Sequence, residues 1–172
     1  MFIEFKDPPK IVLLNGPSSA GKSTLARELQ MRLEEAIFAN YSIVSIDDFM
    51  KIATDEKIYE DDVFEISGDM CKQVIADLKK YDGVIIDHVI TSERIFEELK
   101  EKLGKYSILL VQVTAPLSDL KERELARKNR CVGSAEASYE NLFPRHGYDI
   151  SVDTHYLTPK MASLRIIYEK MV

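Results

Sequence analysis

The sequence predicts an α/β protein built on a parallel sheet with helices on both faces, and three observations predict it. Ile11-Val12-Leu13-Leu14 and Val84-Ile85-Ile86 are continuous apolar runs, as expected for strands buried on both sides. Between such runs lie longer segments whose apolar residues recur at helical spacing, an alternation that builds parallel sheets. A glycine-bearing loop, Gly16 to Ser23, stands between the first run and the first helix.

That loop reads Gly16-Pro17-Ser18-Ser19-Ala20-Gly21-Lys22-Ser23 and satisfies the pattern G-x-x-x-x-G-K-[ST] at every fixed position. Glycines let the backbone approach an anion with no Cβ in the way. Loop amides and the helix N-terminus, from Gly16 through Thr24, then cradle the phosphates of a nucleoside triphosphate. Lys22 is expected to stand toward solvent and reach the β- and γ-phosphates, and the Ser23 hydroxyl to coordinate Mg²⁺. An ordinary glycine turn would not need the strand and helix on either side.

At 172 residues the chain suits one domain, residues 1–172, with a sizeable core. Its 45% hydrophobic and 30% charged residues are those of a soluble globular protein. A net charge of −6 argues against a general nucleic-acid or anionic-membrane surface. Cys71 and Cys131 fit no metal or redox spacing and read as reduced thiols. No apolar signal core or membrane-length run is visible, so the expected compartment is the cytoplasm.

In chain order, Met1 to Lys10 is a lead-in kept extended by Pro8-Pro9. Ser23 to Ala36 is the first helix, with Leu25, Ala26, Leu29, Leu33 and Ala36 on its apolar face. Tyr41 to Ile46 is a strand ending at Asp47-Asp48. Lys51 to Glu65 is acidic and weakly periodic, a loop or short helical excursion over a substrate pocket. A helix follows from about Ser67-Gly68 to Lys80, turning Met70, Val74, Ile75 and Leu78 inward and closed by Asp82-Gly83. The third strand, Val84 to Asp87, leads to a helix capped by Thr91 or Ser92 and ended by Gly104. Ile108 to Val113 is the fourth strand. Pro116 opens a charged helix reaching about Arg130, and Ser134 to Leu142 is a shorter one. Tyr148 to Asp153 supplies a fifth strand. Thr158-Pro159 caps a last helix carrying Met161, Leu164, Ile167 and Tyr168.

In parallel sheets ligands bind at the carboxyl ends of the strands, so Asp47, Asp87 and the glycine loop should meet on one edge. Asp87 suits a Mg²⁺ contact, and Asp47 or Asp48 suits the base that takes the proton of an acceptor hydroxyl. Strand alternation allows only one of that pair to face the site. The helix from Lys121 to Arg130 can be a solvated face of i,i+4 charge pairs. That reading accounts for Lys121, Glu122 and Lys128 but less well for Arg127 and Arg130, three apart on one face before a glycine break. A short lid carrying those two arginines onto a transferring phosphate accounts for them better. His88, His146 and His155 show no ligand spacing.

Four blocks in the same order are similar to the chloramphenicol 3-O-phosphotransferases. They are Asn15-Gly16-Pro17-Ser18-Ser19-Ala20-Gly21-Lys22-Ser23, Ile46-Asp47, Arg123-Glu124-x-x-Arg127-x-x-Arg130, and Gly147-Tyr148-Asp149-Ile150-Ser151-Val152-Asp153-Thr154. The resemblance implies a three-layer P-loop kinase fold, with ATP and Mg²⁺ as cofactors and a small-molecule hydroxyl acceptor. It also implies that Asp47 is the catalytic base and that Arg127 and Arg130 are lid residues. The sheet then has five parallel strands in the order 2-3-1-4-5. His88 stands where the family usually has an acid, and Asp48 replaces a small residue. Lys51 to Glu65 shows no likeness, so the chemistry carries over better than the acceptor. The rivals are a nucleoside monophosphate, nucleotide-sugar or toxin-type kinase, and a nucleotide-gated binding module. The former needs arginines to clamp a second phosphate, and Lys51 to Glu65 has none.

Overall fold

A computed structural model describes residues 7–50, 58–128 and 131–172. Its sheet holds β1 (Ile11–Asn15), β2 (Tyr41–Ser45), β3 (Gly83–His88), β4 (Ile108–Thr114) and β5 (Ile150–Asp153). All neighbours are parallel and the spatial order is 2-3-1-4-5. Six helices complete the described chain: α1 (Lys22–Ile37), α2 (Glu60–Asp77), α3 (Glu93–Leu103), α4 (Leu117–Arg127), α5 (Ser134–Asn141) and α6 (Pro159–Lys170).

Alternation along the strands builds two cores. Val12 and Leu14 of β1 join Leu25, Leu29 and Leu33 of α1 and Ile166 and Ile167 of α6 on one face. Ile11 and Leu13 join Met70 and Val74 of α2 and Ile95 and Leu99 of α3 on the other. Each of these fully buried aliphatic side chains contributes roughly 1.5–3 kcal/mol, so the two cores fix the order of layers. Ala36, expected on the buried face of α1, is exposed at the helix end.

The differences from expectation have local causes. Helix α2 starts at Glu60, seven residues before Ser67, and ends at Asp77. Its first turn is Glu60-Asp61-Asp62, carboxylates that suit a helix N-terminus but carry no apolar period. Gly68 is no boundary: a Cβ there would lie 3.0 Å from Lys102 Nζ and 3.2 Å from Glu98 Oε1, where α3 crosses closely. The expected segment from Lys51 lies outside the described residues as far as 57. After β2 the chain does not stay extended but enters a 3₁₀ turn, Ile46–Phe49, so Asp47 and Asp48 are not alternating strand residues. Ser92 caps α3 by accepting from Ile95 N, while Gly104 ends it in right-handed conformation, φ −66°. Thr158 caps α6 by accepting from Met161 N, with Pro159 next. Met161 and Tyr168 point outward; Ile167 is buried as expected, and Ala162, Ile166 and Met171 carry the contact with it.

Candidate active site

The loop between β1 and α1 is held in shape by contacts to distant parts of the chain. Gly16 lies against β4: a Cβ there would stand 2.1 Å from the Val113 carbonyl oxygen, which excludes every other residue. Gly21 adopts φ 91° and starts α1 with no side-chain cap, and the first turn of α1 holds no acid. The amides of that first turn have no intrahelical acceptor, which leaves a partial positive end for an anion. Two other loop amides are spent on protein. Ser18 N donates to Ser138 Oγ of α5 at 2.9 Å, and Ala20 N to the Pro17 carbonyl at 3.2 Å.

Around this loop an open cleft is lined by Ser18, Ser19, Gly21, Lys22 and Ser23, by Ile46 and Asp47 after β2, by Asp87 and Val89 at the end of β3, and by Arg127 of α4. Eight expected site residues, Ser18, Ser19, Gly21, Lys22, Ser23, Asp47, Asp87 and Arg127, thus meet there. Gly16, Pro17, Ala20 and Thr24 shape the loop without lining the cleft, and Arg130 lies outside the described residues. Lys22 departs from expectation: it is 6% exposed, and its ammonium donates to the Pro17 carbonyl at 2.9 Å. The charge is held against the loop, stationed beside the cleft and not out in solvent.

Ser23 Oγ donates to Asp87 Oδ2 at 2.5 Å. A hydroxyl and a carboxylate side by side are hard oxygen donors of the kind that Mg²⁺ takes together with phosphate and water. Among the described residues no group of three or more His, Cys, Asp or Glu could hold a metal alone. A magnesium ion shared with nucleotide phosphates fits this donor set. An all-protein metal cage does not.

Five buried side-chain atoms of the described chain have no hydrogen-bond partner, and three of them, Ser18 Oγ, Ser19 Oγ and His88 Nδ1, belong to this edge of the sheet. Unpaired buried polar atoms cost about 1–3 kcal/mol each, and Ser18 and Ser19 carry that cost in the lining of the cleft. His88 faces α2, and its Nε2 lies 2.9 Å from Ser67 Oγ. Burial pushes this imidazole down to about 4, opposed by the Val89 backbone, with the Lys22 charge lowering it and the Asp47 charge raising it. The unfolded ring takes up its proton near pH 6.5, so the stability carried by the neutral ring is whole above that pH and lost as pH falls toward 4. Over that window the fold should lose about 3 kcal/mol from this group. Urea melts at pH 7 and pH 4 check it: His88→Gln should lose less between the two than the parent chain does.

Several supporting residues carry no apolar or motif signal of their own. Arg123 donates to the Ser19 carbonyl at 3.4 Å and to Thr154 Oγ1 at 2.9 Å, and Thr154 Oγ1 donates to the Ala20 carbonyl at 2.9 Å. This brace sits under the glycine loop. Glu124, 4% exposed, accepts from Gly133 N and Ala135 N and so fixes the start of α5 against α4. Asn15, fully buried at the end of β1, donates to the Phe143 carbonyl and Tyr148 Oη and accepts from Ile90 N. Arg123, Thr154, Asn15 and Tyr148 all fall within the blocks of the family resemblance, which was the one signal available for them.

The model of the chloramphenicol phosphotransferase-like proteins matches residues 9–171. The chain belongs to this family. A search of curated protein sequences gives no match. Among solved structures it is similar to the Deinococcus radiodurans tunicamycin resistance protein, at 19% identity over 95% of this chain and 97% of that one, TM-score 0.67. It is also similar to the Mycobacterium tuberculosis APS kinase CysC in complex with AMPPNP and APS, at 16% identity over 94% and 96%, TM-score 0.71. A Sinorhizobium meliloti gluconokinase matches at 20% identity over 95% of both chains, TM-score 0.66. At these identities the likeness is one of fold, the P-loop kinase fold. No helix among the described residues of this family member is long and apolar enough to cross a membrane.

Proposed function

We propose that the chain is an ATP-dependent small-molecule kinase that moves the γ-phosphate to a hydroxyl group, in the manner of chloramphenicol 3-O-phosphotransferases. The observation that supports this reading is one cleft lined together by Lys22, Ser23, Asp87 and Asp47. Lys22 and the first-turn amides of α1 bind the β- and γ-phosphates and hold them in line with the acceptor. Ser23 and Asp87 would hold Mg²⁺, which when bound neutralises charge on the phosphate oxygens. Asp47 orients the acceptor hydroxyl and takes its proton as the oxygen bonds to the γ-phosphorus; the bond to the β-phosphate oxygen breaks and ADP leaves. Arg127, and Arg130 with it, stabilises charge on the transferring group.

The test is a screen of hydroxylated metabolites and antibiotics, chloramphenicol included, scored by ATP-dependent mass gain of one phosphate. Transfer to at least one compound is the expected result. ADP release that is the same with and without every acceptor favours a nucleotide-gated binding module. Arg127→Ala should lower kcat roughly tenfold or more while changing ATP affinity little, because its partner is charge that develops in the transition state. An unchanged kcat would return this helix to the solvated-face reading.

A further inference from the structure

Glu124 is a buried carboxylate on α4 to which phosphoryl transfer itself gives no task. Carboxylates are rarely buried unless their oxygens are taken, and here the backbone takes both. Oε2 accepts from Gly133 N at 3.0 Å and Oε1 from Ala135 N at 2.8 Å. These amides open α5, whose own N-cap residue, Gly133, supplies no side-chain hydrogen bond. A negative charge suits that end of a helix. With eight residues, α5 is too short to persist alone, so its start depends on the carboxylate that α4 presents to it.

Helix α5 in turn stands on the glycine loop. Ser138, one turn in, is buried; its Oγ accepts from Ser18 N at 2.9 Å and donates to the Ser134 carbonyl at 2.7 Å. Helix α4 reaches the next loop residue directly, through Arg123 and the Ser19 carbonyl. Two consecutive loop residues are thus gripped by two helices that one carboxylate joins. Leu120 of α4 and Ala135 of α5 are fully buried in the same core. A single attachment would leave α4 free to pivot on the loop, and the second, through α5, fixes its tilt. Arg127, exposed and at the cleft, takes its place from that helix.

We propose that Glu124 and Ser138 are positioning residues, which hold α4 and α5 as one preformed wall so that Arg127 stands over the phosphate loop before nucleotide arrives. On this reading the two helices do not swing over the substrate as a lid does. Charge stabilisation that is already in place needs no rearrangement at the moment of transfer. The proposal rests on the kinase reading above and adds how its arginine is placed.

The test is a pair of double-mutant cycles in the full chain, read as kcat for ADP release at saturating ATP and Mg²⁺. The acceptor is one found by the screen or, where it finds none, water. Glu124→Gln keeps the shape of the side chain, and its amide can accept from only one of the two N–H groups. Ser138→Ala frees the Ser18 amide alone and carries the test by itself should Glu124→Gln not fold. Each variant is assayed at a temperature where its melt shows it folded. Either change should lower kcat roughly fivefold in the parent chain, yet less than about twofold on the Arg127→Ala background, where the group it positions is already gone. A merely structural role would lower the melting temperature and leave kcat alone. The parent kcat in either folded variant overturns the proposal, as do losses that multiply in full with Arg127→Ala. Arg127→Ala at the parent kcat does so too, since nothing would then be positioned. Those outcomes leave the kinase reading standing. A chain that binds ATP and releases no ADP with any acceptor overturns both.

Discussion

Lys22→Ala is expected to abolish nucleotide turnover and leave the protein folded. The loss should be large because no other residue of the glycine loop brings a full positive charge to the β- and γ-phosphates. The side chain is 6% exposed and its ammonium is bound to the Pro17 carbonyl, so the replacement also releases one loop contact. That contact contributes about 1 kcal/mol net, small beside two sheet-spanning cores. A thermal melt within a few degrees of the parent, with ADP release reduced to background, is the result expected. A folded variant that turns over ATP at the parent rate would remove Lys22 from the site.

Asp47→Asn should slow phosphoryl transfer roughly 10²-fold or more, the scale of a positioned general base. Asparagine keeps the shape and cannot take the proton, so ATP affinity should hardly change. Asp48→Asn is the internal control, and the structure changes the reason for choosing it. The pair lies on a 3₁₀ turn, where successive side chains are separated by about a third of a turn, and Asp47, not Asp48, lines the cleft. Single-turnover assays with each variant decide it. An inactive Asp48→Asn beside an active Asp47→Asn would move the base by one residue.

The strands were legible because each is a short apolar or alternating stretch bounded by polar residues, and their order followed from the family resemblance. The site was legible as a list of residues gathered at the strand ends. What sequence could not show depends on contacts between distant segments. The burial of Lys22 follows from a loop carbonyl turned toward it, and the Ser18 amide is taken by Ser138, 120 residues away. The early start of α2 was hidden because carboxylates stabilise a helix N-terminus through its dipole and leave no apolar period. Gly68 resembled a helix start because space between helices, not backbone freedom, is why it is small.

The brace under the glycine loop sets an order of events during synthesis. The motif is complete once residue 24 has left the ribosome, but Arg123 and Thr154, which grip the Ser19 and Ala20 carbonyls, emerge 104 and 134 residues behind the atoms they hold. A nascent chain halted anywhere before Thr154 carries the nucleotide loop without its lower support. The lower support of the nucleotide loop is therefore closed only late in synthesis, after the last strand has been made, and the packing of α6 on α1 follows it.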